Sequence, residues 1–220
     1  MFLDSPPLMD RRFRLPRVWS NQTMRKISPL VHGDVVNVSA WRDEDKEGGT
    51  YRQYFTNARA YSTTNFGGYR GADESTGFLL DLERDLPAEL HESFDFVFNH
   101  TTLEHVFDVF TAFANLCAMS RDAVLVVVPA VQEEHTSDSF SDYWRFTSRS
   151  LEALFAKNGF QIVVLTSSPY CNAGIYHLAL GSKEPERWKA QLPRDFDPAN
   201  EGRRLVKTPI RNLLRRIVPR

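Results

Sequence analysis

Phe94-Asp95-Phe96-Val97-Phe98-Asn99-His100-Thr101-Thr102-Leu103-Glu104-His105-Val106 is the stretch that decides the fold. Phe94 to Phe98 has the apolar density of a short buried strand, and Asn99 and His100 interrupt it. From Leu103 onward the apolar residues fall at 103, 106, 107, 110, 114 and 117, the spacing of one buried helix face. A buried strand that turns through polar residues into a helix is half of a βαβ unit. In open parallel sheets ligands sit at that turn, outside the carboxyl ends of the strands.

On the amino-terminal side, Val35 to Val38 reads as a first strand. Arg42 to Gly49 follows and is too charged to be core. Tyr61 to Phe66 is a second strand, ending at Gly67-Gly68, and Phe78 to Leu80 a third, followed at once by Asp81-Leu82-Glu83. On the carboxyl side, Val124 to Val128 is a fifth strand closed by Pro129. Thr147 is placed to cap a helix carrying Leu151, Leu154 and Phe155 on one face, and Gly159 to end it in the left-handed position. Gln161 to Leu165 and Ile175 to Leu180 make a closing strand pair. The pattern predicts an α/β fold: a doubly wound, mostly parallel seven-stranded sheet with an antiparallel final strand. Residues 31–185 form this domain, 1–30 an extension that packs on it or stays mobile, and 186–220 a basic carboxyl-terminal extension.

The chain has 220 residues, enough for one such domain with terminal extensions. No apolar run approaches the ~20 residues of a membrane span, and no signal peptide is recognisable, so a cytoplasmic protein is expected. Cys117 and Cys171 are the only cysteines and imply no disulfide framework. Net charge is −1, but residues 203–220 carry seven Arg or Lys and no acid, leaving the rest at −8 (20 basic against 28 acidic groups). An acidic body argues against nucleic acid as a partner. In the tail, Thr208 and Pro209 start an amphipathic stretch with Ile210, Leu213, Leu214, Ile217 and Val218 on one side. Such a short helix must dock, on its own domain, on a sister subunit, or peripherally on an anionic membrane at the inner face.

Three segments carry a resemblance: Phe94–Val106, the Val-Leu-Val-Val-Val-Pro strand, and Asp142-Tyr143-Trp144-Arg145-Phe146-Thr147 leading to Gly159-Phe160. Together they resemble S-adenosylmethionine-dependent methyltransferases of the Rossmann-like class, and within it small bacterial ones associated with sugar and glycan modification. The resemblance covers residues 33–182. It implies S-adenosylmethionine as cofactor, with Ser39, Ala40 and Trp41 beside its methionine part. Asn65 and Phe66 would meet the ribose, Asp81 and Leu82 the adenine, and Asn99 and His100 the transfer point. His100 and His105 are the candidate bases, since His titrates in the useful range. His135, Tyr143 and Arg145 are the candidate acceptor contacts, although Arg145 is equally placed to pair with Asp142.

Two positions depart from the family pattern. The turn after the first strand reads Ser39-Ala40-Trp41 where glycines are usual, and Asn65 stands where an acid would hold the ribose. Packing readings compete at several residues: His100 as a turn or cap residue, Glu104 and His105 as structural partners, Trp144 and Phe146 as core. No metal site is expected, because neither His-Glu-x-x-His nor a cysteine pair is present. The implied function is O-methylation of a sugar or glycan hydroxyl. The alternative is a cofactor-free methyltransferase-like binding or scaffold subunit.

Overall fold

The structure is a computed structural model, and it describes residues 15–67, 78–168, 175–193 and 196. The tail 203–220, Cys171, Gly68 and the first fourteen residues lie outside the described residues. Eleven regular elements are labelled in chain order: α1 (Leu15–Ile27), β1 (Asp34–Val38), β2 (Ala60–Asn65), β3 (Phe78–Leu79), β4 (Phe94–His100), α2 (Val109–Met119), β5 (Ser120–Val131), α3 (Ser148–Lys157), β6 (Gln161–Ser167), β7 (Ile175–Ser182) and α4 (Pro185–Gln191).

The strands form one seven-stranded sheet in the order β3-β2-β1-β4-β5-β7-β6. β1 pairs in parallel with β2 and β4, β2 with β3, and β4 with β5, while β7 runs antiparallel to both β5 and β6. This is the doubly wound sheet that the strand spacing predicts. Successive side chains point to opposite faces, so each central strand feeds two cores. Val36, Val97, Val124 and Val126 pack with α2 and α3 on one face, and Val35, Phe96, Phe98 and Val127 with Trp19, Met24 and Ile27 of α1 on the other. Strands buried on both faces read as continuous apolar runs, which is why Phe94–Phe98 and Val124–Val128 stand out in the sequence.

α3 begins at the Thr147 cap, whose side chain accepts from Ser150 N, and Gly159 follows its end with φ +79°. Gly181 on β7 faces α3 so closely that an added Cβ would lie 2.3 Å from the ring of Phe155, itself fully buried. Gly181→Ala is therefore expected to destabilise the fold by about 1–3 kcal/mol through overpacking, read as a lower urea midpoint. An unchanged midpoint would mean that the Phe155 ring turns aside freely.

Three details differ from the sequence reading. The helix after β4 starts at Val109, not Leu103, because Thr101 takes a left-handed φ of 50° and Leu103–His105 forms one tight 3-10 turn. Asp108 then caps α2 through Thr111 N, which resets its phase. Val109, Ala112, Phe113 and Leu116 are buried alongside the expected Leu103 and Cys117, while Phe107 and Phe110 are exposed at 66% and 58%. β5 does not stop at Pro129; it runs to Val131 across an irregularity in its pairing with β7, a place where a residue without N–H is tolerated.

The charged segment 42–49 also contributes to the interior. Asp45 is buried and accepts from Glu47 N, Gly49 N and the Tyr54 hydroxyl, and buried Asp43 accepts from Asn37, Tyr61 and Arg52 N. Carboxylates enter a core when their lone pairs are all used. Charge alone therefore did not mark this segment as surface.

Candidate active site at the carboxyl edge of the sheet

β1 and β4 are neighbours from which the chain winds in opposite directions, so the crevice above their carboxyl ends is the topological switch point. A cavity of about 390 Å³ opens there. Its walls come from the turn after β1 (Ser39, Ala40, Trp41), the end of β2 (Asn65, Phe66), the residues after β3 (Leu80 to Glu83), and His100 to Thr102 with His105 and Val106 after β4. Arg17 from α1, Tyr51 and Phe140 complete it.

The turn after β1 is wound tightly. Ser39 and Trp41 have φ of 60° and 51°, the left-handed conformations for which glycine is the usual choice. Hydrogen bonds hold it there: Ser39 N donates to Thr64 Oγ1, Ala40 N to Thr64 O, and Trp41 N to Asn65 Oδ1. Asn65 thus anchors the turn from the end of β2. Asn99 Nδ2 donates to Val38 O from the other side. Asn99 is fully buried and does not line the cavity, so it positions the β1 turn rather than the transfer point.

His100 occupies the wall beside Arg17. Its Nδ1 accepts from Arg17 Nη1 at 2.8 Å and its Nε2 meets Ser20 Oγ at 2.9 Å, while Ser20 Oγ donates to Arg17 O. These roles select the neutral ring with the proton on Nε2. Burial, reinforced by the Arg17 charge, holds its pKa well below the imidazole value. Both nitrogens are engaged, so the geometry leaves His100 as a holder of Arg17 and not as a base. Arg17 itself donates further to Tyr51 Oη and Thr101 Oγ1. Tyr51 passes the link to Asn21, tying α1, the 42–54 segment and the end of β4 into one network.

His105 stands on the opposite wall. Its Nδ1 lies 2.7 Å from Ser141 O, which places the proton on Nδ1 and the lone pair on Nε2. Burial lowers its pKa, so the ring is neutral near pH 7. Glu104 beside it is 1% exposed, and its Oε2 has no hydrogen-bond partner among the described residues. Burial pushes this carboxyl up to about 8.

The three remaining acceptor candidates sit elsewhere. Arg145 is consumed by structure: two bonds to Asp142 at 2.6 Å and others to the carbonyls of Gln132, Glu133 and Trp144. Tyr143 is half-exposed and meets Phe107 edge to face, away from the cavity lining. His135 lies behind His105, ring centroids 5.0 Å apart, and its Nδ1 is 3.0 Å from Asp142. Arg17, Tyr51 and Glu104 are the wall or near-wall residues that no sequence pattern singles out for the site. Charge in a proline-punctuated stretch was the only sign of Arg17.

No family model and no curated relative matches the chain. Solved structures do. It is similar to a 1,6-didemethyltoxoflavin-N1-methyltransferase of Burkholderia thailandensis, solved with bound 1,6-didemethyltoxoflavin and S-adenosylhomocysteine, at 16% identity over 83% of this chain and 92% of that one, TM-score 0.51. It is similar to an S-adenosylmethionine-dependent methyltransferase of Mesorhizobium loti at 14% identity over 74% and 97%, TM-score 0.55. A complex of the Haloferax volcanii Trm112 activator with a methyltransferase also matches, at 12% over 80% and 92%, TM-score 0.56. At these identities the likeness is one of fold, and that fold is the Rossmann-like one of the class I S-adenosylmethionine-dependent methyltransferases.

Proposed function

We propose that the protein transfers a methyl group from S-adenosylmethionine to an acceptor hydroxyl. The supporting observation is that Ser39–Trp41, Asn65–Phe66, Asp81–Leu82 and His100, to which the resemblance assigns the cofactor, line one cavity at the switch point together with His105. Asp81 would accept from the adenine amino group, with Leu82 against the ring and Asn65 and Phe66 at the ribose. The methionine part would lie along the Ser39–Trp41 turn, its carboxylate toward the Arg17 guanidinium. The cofactor supplies a methyl group already activated on sulfonium sulfur. The protein then has to align the acceptor, a contribution of ~7–11 kcal/mol in favourable systems. His105, which lines the cavity, is the acceptor-side group in place of His100.

The sugar or glycan acceptor rests on the resemblance of the three segments, and peripheral membrane contact on the composition of residues 203–220. Among the described residues no helix is long and apolar enough to cross a membrane. The cofactor-free scaffold reading draws on the β1 turn, whose amides at 39, 40 and 41 are spent on Thr64 and Asn65. S-adenosylhomocysteine titration separates the two. The full chain is expected to bind one equivalent in the micromolar range. At a hundredfold excess over Kd the ligand is expected to raise Tm by roughly 5–10 °C. Neither heat nor a thermal shift would remove the enzymatic reading.

A further inference from the structure

Glu104, His105 and His135 bring one ligand atom each to within 4.8 Å of one another, and His105 also lines the cavity. We infer that these three side chains form a binding site for a divalent first-row transition ion, held by the two imidazole Nε2 atoms and the Glu104 carboxylate.

The partners of the two imidazole rings point the same way. His105 Nδ1 is tied to Ser141 O at 2.7 Å, and His135 Nδ1 to the Asp142 carboxylate at 3.0 Å. Both rings thereby present Nε2, the arrangement in which a metal-ligating histidine is oriented by an oxygen on its other nitrogen. Asp142 is in turn locked by Arg145, so the orienting carboxylate is itself fixed. The third donor is an orphan. Glu104 Oε2 is buried with no partner among the described residues, and Oε1 lies 3.8 Å from His105 Nε2. An unpaired buried carboxylate oxygen costs free energy that an ion would recover.

Ligands at about 2.0–2.1 Å from a tetrahedral ion sit about 3.3 Å apart. Closing from 4.8 Å needs shifts of about an ångström, within reach of side-chain rotation. Two imidazoles and one carboxylate suit zinc, cobalt, manganese or iron rather than calcium or magnesium, and three protein ligands leave a coordination position open. His105 lines the cavity, so an ion held by it would lie beside the cavity.

The ion's role rests on the methyltransferase reading; the site itself does not. An acceptor hydroxyl on the open position would lose its proton to solvent water more easily. Its oxygen then forms the O–C bond while the C–S bond breaks, and that electron pair stays on sulfur, leaving the neutral thioether.

The test uses the full chain stripped with a chelator and titrated with Co2+ and with Zn2+. One equivalent of Co2+ is expected to bind and give visible d–d absorption, which Zn2+ bleaches. Glu104→Gln and His135→Asn are each expected to weaken Co2+ binding at least tenfold while keeping the parent circular dichroism spectrum. Absence of a stoichiometric visible band overturns the site, as does unchanged Co2+ affinity in the folded variants. S-adenosylhomocysteine binding is measured on the same stripped protein, so loss of one reading is distinguishable from loss of the other.

Discussion

Arg17→Met is expected to weaken S-adenosylhomocysteine binding by about 10- to 100-fold and to leave 5′-methylthioadenosine binding unchanged. The two ligands share the adenosine and the sulfur; only the first has an amino-acid carboxylate. Arg17 is a guanidinium held inside the cavity wall by a tyrosine hydroxyl, a histidine nitrogen and a threonine hydroxyl. All three partners are neutral, and among the described residues no carboxylate lies within ion-pair distance of it. A buried cation without a counter-charge is costly, and an anionic ligand group that meets it removes part of that cost. The fold-change corresponds to one charge-assisted hydrogen bond, about 1.5–3 kcal/mol. Methionine keeps the length and apolar stem of arginine, and Thr101 Oγ1, 3.2 Å from His100 Nδ1, remains as a partner for the ring. Isothermal titration of both ligands decides it. Equal losses would indicate collapse of the wall, and no loss would move the anion from the cofactor to the acceptor.

That Arg17 belongs to the site was not legible in the sequence, because its partners His100 and Thr101 lie 83 and 84 residues away. Pattern reading sees periodicity and local spacing, and a proline-punctuated basic stretch shows neither. The strand ends were legible for the opposite reason. Each is the point where a continuous apolar run gives way to polar residues, and parallel connectivity brings those points to one edge. The helix after β4 shows an intermediate case. Val109–Met119 reads Val-Phe-Thr-Ala-Phe-Ala-Asn-Leu-Cys-Ala-Met, apolar nearly all round. Several stripes fit such a segment, and the phase was set by the Asp108 cap and the left-handed Thr101, neither of which periodicity registers.

Buried acids form a second class of residues hidden from composition. Asp43, Asp45, Glu104 and Asp142 look like solvated charge in the sequence, yet the structure buries all four side chains or nearly so. Three are covered by hydrogen bonds that are partly local, such as Asp45 with Glu47 N and Gly49 N. Glu104 is the exception, with a buried oxygen unpaired. Its grouping with His105 and His135 joins two segments thirty residues apart, so no motif spacing reveals it.

Asp142→Asn is expected to cost about 2–4 kcal/mol of stability at pH 7, and the difference from the parent protein to vanish near pH 2. The Asp142 side chain is fully buried, and burial alone would raise its pKa. The Arg145 guanidinium, bonded to both oxygens at 2.6 Å, together with the His135 amide, overcomes that and holds the carboxyl down at about 2. An unfolded aspartate titrates near 4. A folded pKa below the unfolded one contributes stability above pH 4, and this contribution is lost as pH falls from about 4 to about 2. At 1.36 kcal/mol per unit the linkage is worth about 2.5 kcal/mol. Asparagine keeps the shape but offers Arg145 one neutral acceptor in place of two charged ones. Arg145 also bonds the carbonyls of Gln132 and Glu133, so the loop that carries His135 loosens with it. Urea unfolding of both proteins at pH 7, 5, 4 and 2.5 measures the effect. Parallel stability curves over that range would mean that Asp142 is ionised no more readily in the folded protein than in the unfolded chain.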